Sequence, residues 1–247
     1  ESMKKVLRSV TAVGRTVISV VGGVDVNDIR SAADELLSSQ YKDSKKLLFP
    51  SQAQLIKKPK CICVNLPKEQ SHIAIGFLGT TLTSNDRFAV DVMTEILGGH
   101  GGRLFQHVRE EAGLAYSVTA VSMEGVDPGY LALYAATTPG GEQRVYDALR
   151  KEVEKICSKR VAKEELSRVK RHLVGTHAIS LQRNSGRAAS IALDYLYGNG
   201  HDASERYAKQ IDAVSSEDVL DAAVKYLSVR GFVAVCVGPN VKGLRLD

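Results

Sequence analysis

Arg109 and Tyr116 stand seven residues apart in the segment GGRLFQHVREEAGLAYSVTAV, residues 101–121. A guanidinium fork and a phenol are both hydrogen-bond donors, and together they suit the carbonyl oxygens of an extended peptide. The local pattern gives them a way to meet. Leu104, Phe105 and Val108 define the apolar side of a short helix over about 102–111, with Arg109 at the edge of that side. Gly113 fits the left-handed position that ends a helix. A strand then follows, with Leu114, Tyr116, Val118 and Ala120 on one face and Ala115, Ser117, Thr119 and Val121 on the other. The same residue types also fit a plainer arrangement, a surface arginine paired with a carboxylate beside a core tyrosine.

Other chemistries leave no matching pattern. The six histidines are His72, His100, His107, His172, His177 and His201, and none begins H-E-x-x-H or H-x-x-E-H, the helical spacings that aim two imidazoles and a carboxylate at one zinc. His172 and His177 are five apart, off the i, i+4 alignment. Each histidine is expected to be a polar or half-buried side chain. Gly98-Gly99-His100-Gly101-Gly102 lacks the G-K-[ST] ending of a phosphate loop and follows no strand, so it reads as a flexible turn between helices. No G-x-S-x-G elbow is present. Of the four cysteines, Cys61 and Cys63 share one face of a strand and Cys157 and Cys236 lie far off in sequence; buried small apolar residues are expected rather than a zinc site.

The elements that must position Arg109 and Tyr116 follow from periodicity. Residues 15–22, RTVISVVG, read as a strand, and 24–39 as a turn leading into a helix. The stretch 40–60 is polar and lysine-rich, with Pro50 and Pro59, and suits a linker. Strands are expected at 61–66, 72–79, 114–123 and 130–137, the last two as an antiparallel hairpin. Helices are expected from about 84–86 to 98–99 and at 185–197 and 203–211. Two more carry the stripes Val145, Ala148, Leu149, Val153, Ile156 and Leu166, Val169, Leu173, His177. Ser215-Ser216-Glu217-Asp218 has capping-box spacing and opens a helix with Leu220, Ala223, Val224 and Leu227 on one face. GFVAVCVGP closes the chain as a strand. A block of strands followed by a run of helices makes this an α+β fold with an antiparallel sheet packed against several helices. VISVVGG at 17–23 echoes VAVCVGP at 233–239, the pattern of a duplicated domain.

Composition narrows the partners. The chain has 247 residues, 44% hydrophobic and 25% charged, with net charge +5. Its basic residues are scattered (Lys4 with Lys5, Lys45 with Lys46, Lys57 with Lys58; Arg168, Lys170 and Arg171 on one helix) without aromatic interleaving, so nucleic acid is not an expected partner. No run approaches the ~18 apolar residues that span a bilayer, and no membrane partner or signal peptide is expected. The bacterial cytoplasm, periplasm and an organelle matrix all fit.

The run GGRLFQHVREEAGLAYSV resembles the C-terminal homologous domain of the pitrilysin/insulinase family of zinc metallopeptidases, M16. That family's motif is LF-x-x-[LV]-R-E-x-x-G-L-x-Y-x-V, which Arg109 and Tyr116 match in type and spacing. EILGGHGGRLFQ, TTPGGEQRVYDALRKEVEKI, VAKEELSRVKRHLVG and the closing VSSEDVLDAAVKYLS…VAVCVGP are similar to the same domain, and TVISVVGGVDVNDI to the end of the domain before it. The resemblance implies two homologous α+β halves closing around a chamber. The N-terminal half holds Zn2+ through H-x-x-E-H and a downstream glutamate; there a metal-bound water attacks the peptide bond. The C-terminal half lacks the metal motif, and its arginine and tyrosine hold substrate. This chain would then comprise the last strand and helix of the preceding domain (1–39), a linker (40–60) and a C-terminal M16-like domain (61–247). The resemblance makes Arg109 and Tyr116 substrate-binding residues, with no catalytic or metal-binding residue here. It makes a peptide and the N-terminal homologous domain the partners, with a homo-oligomer also possible. The fragment would be inactive alone. The alternative on the same fold is a non-catalytic interaction or core subunit.

Overall fold

A computed structural model of the chain describes residues 2–10, 16–38, 56–227 and 231–246. They belong to two compact units, Glu1–Ser51 with Gly175–Tyr207, and Gln52–Val174 with Ala208–Asp247.

The second unit holds the sheet. β1 (Lys60–Asn65), β2 (Ser71–Leu78), β3 (Ser117–Met123), β4 (Tyr130–Thr137) and β5 (Val233–Gly238) lie in the order β1-β5-β2-β4-β3. All neighbours are antiparallel except β1 and β5, which run parallel. The expected hairpin of β3 and β4 is formed, with Val118 opposite Ala135 and Ala120 opposite Leu133. β1 and β2, adjacent in sequence, are separated by β5.

Alternation decides which face is covered. In β2, Ile73, Ile75 and Phe77 are buried; their register partners Ala135, Leu133 and Leu131 in β4 and Cys236 and Ala234 in β5 are buried with them. Helices α3 (Arg87–Gly98) and α4 (Glu142–Ser158) contribute Val90, Met93, Ile96, Leu97, Val145, Leu149, Val153 and Ile156 to that core. α5 (Lys163–Ser180) buries only Val169 of its predicted stripe. α8 (Ser216–Tyr226) starts with the expected capping box: the Asp218 N–H donates to Ser215 Oγ at 3.1 Å and the Ser215 N–H to Asp218 Oδ2 at 2.7 Å. Its buried face differs from expectation: Val219, Ala222, Ala223 and Leu227 point inward while Val224 is exposed. A stripe read at i, i+3, i+4 leaves the helix's rotation open by one residue, and packing on α3 and α4 chose Val219 over Leu220.

In the first unit, α2 (Val26–Ser38) is capped by Asp25, whose Oδ1 accepts from the Asn27 N–H at 2.7 Å and the Asp28 N–H at 3.3 Å. α1 (Ser2–Val10), the end of α5, α6 (Asn184–Leu196) and the start of α7 (Ala203–Ala213) are its other described helices. Residues 16–21 form no strand, and Ile18 and Val20 are exposed. Residues 16–22 thus do not form the strand expected at 15–22: a strand exists only with a hydrogen-bonded neighbour, and none is present among the described residues. The expected linker lies mostly outside the described residues, and Lys60 already belongs to β1.

One carboxyl joins α3 to the segment after β3. Burial, then the neighbouring Glu124 carboxylate, pushes Asp91 up to about 8 from 3.8, with Arg87 pulling the other way. The folded chain keeps a proton on this group that the unfolded chain releases, so its contribution to stability is complete below about pH 4 and is lost as pH rises through about 8. Asp91→Asn is expected to flatten the stability profile between about pH 5 and 8 by on the order of 2–4 kcal/mol. Urea unfolding at both pH values measures this; the same change in stability between them in wild type and variant would refute the retained proton on Asp91.

Candidate functional site

The motif segment folds as a helix, a left-handed turn and an edge strand. Arg103 and Leu104 start the helix, and Phe105–Glu111 continue it as a π-helix. Leu104 and Val108 are buried, and Phe105 is half-buried. Gly113 takes φ +60, as its place after the helix requires. The Leu114 N–H donates to the Val108 carbonyl at 2.9 Å, turning the chain back along the helix end. Thr137 Oγ1 donates to the Leu114 carbonyl at 2.7 Å and the Tyr116 N–H to the Ala136 carbonyl at 2.8 Å, so β4 fixes where the turn ends.

Arg109 lies with its guanidinium carbon 4.9 Å from the centre of the Phe105 ring and its Nε 3.5 Å from Glu110 Oε1. Its side chain is 44% exposed. Tyr116 is 75% exposed, and its hydroxyl has no hydrogen-bond partner among the described residues. The plainer arrangement thus holds for the arginine, which does sit beside a carboxylate, and fails for the tyrosine, which is not in the core. Among the described residues no hydrogen bond joins the two. Tyr116 precedes β3, so strand alternation does not set its direction.

The segment is anchored at its start. Arg103 makes a two-pronged bond to Glu165, Nε to Oε1 at 2.9 Å and Nη2 to Oε2 at 2.7 Å, and this contact raises its already high proton affinity. Glu152 of α4 is only 2% exposed; its Oε1 accepts from Lys155 Nζ at 2.6 Å, while its Oε2 and His107 Nδ1, 3.0 Å apart, make no hydrogen bond among the described residues. The sequence held a signal for Glu152: it falls between Leu149 and Ile156 on the buried stripe of α4, where a carboxylate needs a partner.

The glycines before the motif form a packed turn rather than the flexible one expected. The Gly102 N–H donates to the Gly99 carbonyl at 2.8 Å, Gly101 takes φ +71, and a Cβ on Gly102 would stand 2.8 Å from the Leu97 carbonyl oxygen.

Three of the histidines have structural contacts. His72 Nδ1 is 2.7 Å from the Tyr134 hydroxyl, His172 Nε2 is 3.4 Å from Glu95, and His177 stacks on Tyr207 with Nε2 3.1 Å from the Ser204 carbonyl. The cysteines are free thiols; burial pushes Cys157 up to about 11 and Cys236 up to about 12, so they stay protonated. Among the described residues no group of three or more His, Cys, Asp or Glu is placed to hold a metal ion, and no helix is long and apolar enough to cross a membrane. A cavity of about 350 Å³ is lined by α3, α7 and α8 residues including Asp86, Phe88, Asp221 and Lys225, and by none from the motif.

With this geometry in place, comparison with known proteins fixes the family. The model of the peptidase M16 inactive domain matches residues 1–173, and the chain belongs to that family. It is 30% identical over 229 residues to an uncharacterized zinc protease of Rickettsia felis, covering 92% of this chain and 54% of the relative. The chain spans about half the length of the curated relatives it matches. Its fold is similar to a protease from Helicobacter pylori, with TM-score 0.81 and 18% identity over 89% of this chain and 54% of the other. It is also similar to a peptidase M16 inactive domain from Pseudomonas fluorescens, with TM-score 0.78 and 23% identity over 88% and 52%.

Proposed function

We propose that this chain is the substrate-binding half, without a zinc site of its own, of an M16 zinc metalloendopeptidase that hydrolyses peptides in a closed chamber. The observation that carries the reading is Tyr116, 75% exposed, with no hydrogen-bond partner for its hydroxyl among the described residues, just beyond the turn that follows Arg109. A large aromatic side chain that neither fills the core nor bonds internally is available to a ligand. Arg109 and Tyr116 donate to carbonyl oxygens of an extended peptide, which pairs as an added strand on the other half. The metal belongs to that preceding homologous half. Residues 1–39 are the tail of that half, whose sheet supplies the missing neighbour for 16–21; 40–60 link it to the domain 61–247.

Two measurements test this. In the intact protein, Tyr116→Phe removes one neutral donor and is expected to lower kcat/KM for a fluorogenic peptide by about tenfold; unchanged cleavage would remove Tyr116 from the site. The 247-residue chain alone is expected to bind no stoichiometric zinc and to cleave no peptide, by metal analysis and activity assay. Peptidase activity from the purified chain would overturn the assignment of roles.

A further inference from the structure

Arg109 reaches its place through the residues before it. Its guanidinium carbon rests 4.9 Å from the centre of the Phe105 ring, so where Arg109 points depends on how the first turn of the motif helix is set. Leu104 and Val108 bury one side of that helix. Apolar burial is non-directional and does not by itself fix how the helix is turned on its seat. Arg103 supplies a directional contact. It stands immediately before Leu104, two residues from Phe105, and its fork meets both oxygens of Glu165, Nε to Oε1 at 2.9 Å and Nη2 to Oε2 at 2.7 Å. Two parallel charge-assisted bonds set orientation as well as distance. The two side chains are only 16% and 21% exposed, so solvent screens this pair less than it screens a surface pair. Glu165 is itself well placed: it lies in the first turn of α5, one turn before Val169, the buried residue of that helix. Ahead of Arg103, the Gly102 N–H donates to the Gly99 carbonyl, and Gly102 has no room for a Cβ. The fork and the packed turn therefore meet at the start of the helix.

We infer that Arg103 and Glu165 are positioning residues, a half-buried clamp that sets the start of the motif helix and thereby the direction in which Arg109 is presented to the peptide. The inference rests on the assignment of Arg109 to substrate. In this role neither residue of the clamp touches the peptide. The effect passes along the backbone from Arg103 to Phe105, whose ring carries Arg109. Loss of the clamp frees the first turn to shift on Leu104 while the core beneath it stays filled, so Arg109 is misdirected without the domain unfolding.

The experiment is a double-mutant cycle in the intact protein, with kcat and KM resolved, together with amide exchange. Arg103→Met keeps the apolar stem and removes the fork. It is expected to lower kcat/KM for a fluorogenic peptide by about tenfold, as misplacement of a binding group does, mainly through KM. A role in stability alone would instead lower the folded fraction and with it the apparent kcat. In an Arg109→Ala background the same change is expected to cost less than about twofold, because the group it positions is gone. Arg103→Lys keeps the charge but not the fork, and is expected to cleave within about threefold of wild type. An equal loss in both backgrounds, or a loss confined to kcat, overturns the inference. The Gln106 amide closes the first turn on the Gly102 carbonyl at 3.1 Å. Its exchange is expected to quicken by about tenfold in Arg103→Met and in Glu165→Gln, which keeps the shape of the carboxylate without its charge. If exchange is unchanged in both variants, the clamp is refuted whatever the activity. Should Arg103→Met fail to fold, Arg103→Lys and Glu165→Gln carry the same cycle, each with an expected loss of about threefold that vanishes in the Arg109→Ala background. Cleavage unaltered by Arg109→Ala alone would overturn the substrate role of Arg109 and the positioning role with it. Cleavage impaired by Arg109→Ala but unaltered by every change at Arg103 and Glu165 would overturn the positioning role only.

Discussion

Arg109→Ala in the intact protein is expected to lower kcat/KM for peptide cleavage by about 100-fold, the loss typical of one well-placed donor at a developing charge. The size follows from what the side chain does and does not do in this chain. Its guanidinium lies on the face of Phe105 and beside Glu110, both surface contacts, and it is 44% exposed. Removing it opens no cavity in the core, and an exposed ion pair of this kind contributes about 0–1 kcal/mol to stability. Activity and stability are therefore expected to separate: a large fall in kcat/KM with a melting temperature close to wild type. Arg109→Lys keeps the charge but loses the planar fork that can address two oxygens, and is expected to fall between wild type and alanine. Steady-state kinetics with a fluorogenic peptide and a thermal melt on the same preparation check both parts. A variant that cleaves at the wild-type rate would sink the substrate role of Arg109.

Gly98→Ala is expected to produce the largest loss of stability of any single methyl group considered. Gly98 ends α3, and a Cβ at this position would stand 1.9 Å from the Ala120 nitrogen and 2.6 Å from its Cα. Those are backbone atoms of β3, which cannot rotate away as a side chain would, so α3 must be displaced from the sheet. That helix buries Ala89, Val90, Val92, Met93, Ile96 and Leu97. Overpacking of this kind costs about 3 kcal/mol, and for a chain of this length that corresponds to a drop of roughly 6–12 °C in the unfolding midpoint. Differential scanning calorimetry measures it, and a midpoint within about 2 °C of wild type would show that α3 and β3 can separate freely. The same displacement moves the turn at 99–102 and with it the base of the π-helix, so the loss of fold and the loss of the site are coupled.

Much of the fold could be read from residue patterns because the patterns are local. Alternation in SHIAIGFL and YLALYAAT marks β2 and β4, the stripe through Val145, Leu149 and Val153 marks α4, and Ser215 with Asp218 marks the start of α8. The position of Gly113 told in advance where the helix before Tyr116 ends. What stayed hidden depends on distant partners. Nothing in CICVNL or SHIAIGFL says that Val233–Gly238 will lie between them. A valine-rich stretch at 16–21 has the composition of a strand and, among the described residues, no neighbour to make it one. The π-helix spans seven residues, too short for its period to be told from that of an α-helix. Arg109 and Tyr116 were legible as a spaced pair, and so was the place of Glu152 on the buried stripe of α4; its closeness to His107, 3.0 Å away but 45 positions off in the chain, was not.

The order β1-β5-β2-β4-β3 has a consequence for how the molecule comes into being on the ribosome. β2 receives one neighbour, β4, from the next sixty residues, but its other edge pairs with Val233–Gly238, more than 150 residues downstream. Until that last strand is synthesised, β2 presents an unpaired ladder edge beside Ile73 and Ile75, the kind of edge that invites association with other chains. Among the described residues β1 has no partner in the sheet except β5, so it too waits. Closing the sheet brings together segments far apart in sequence, which slows folding relative to local hairpins. The final strand thus acts as a keystone inserted last, and nascent chains released before it is made would carry a half-sheet prone to aggregate.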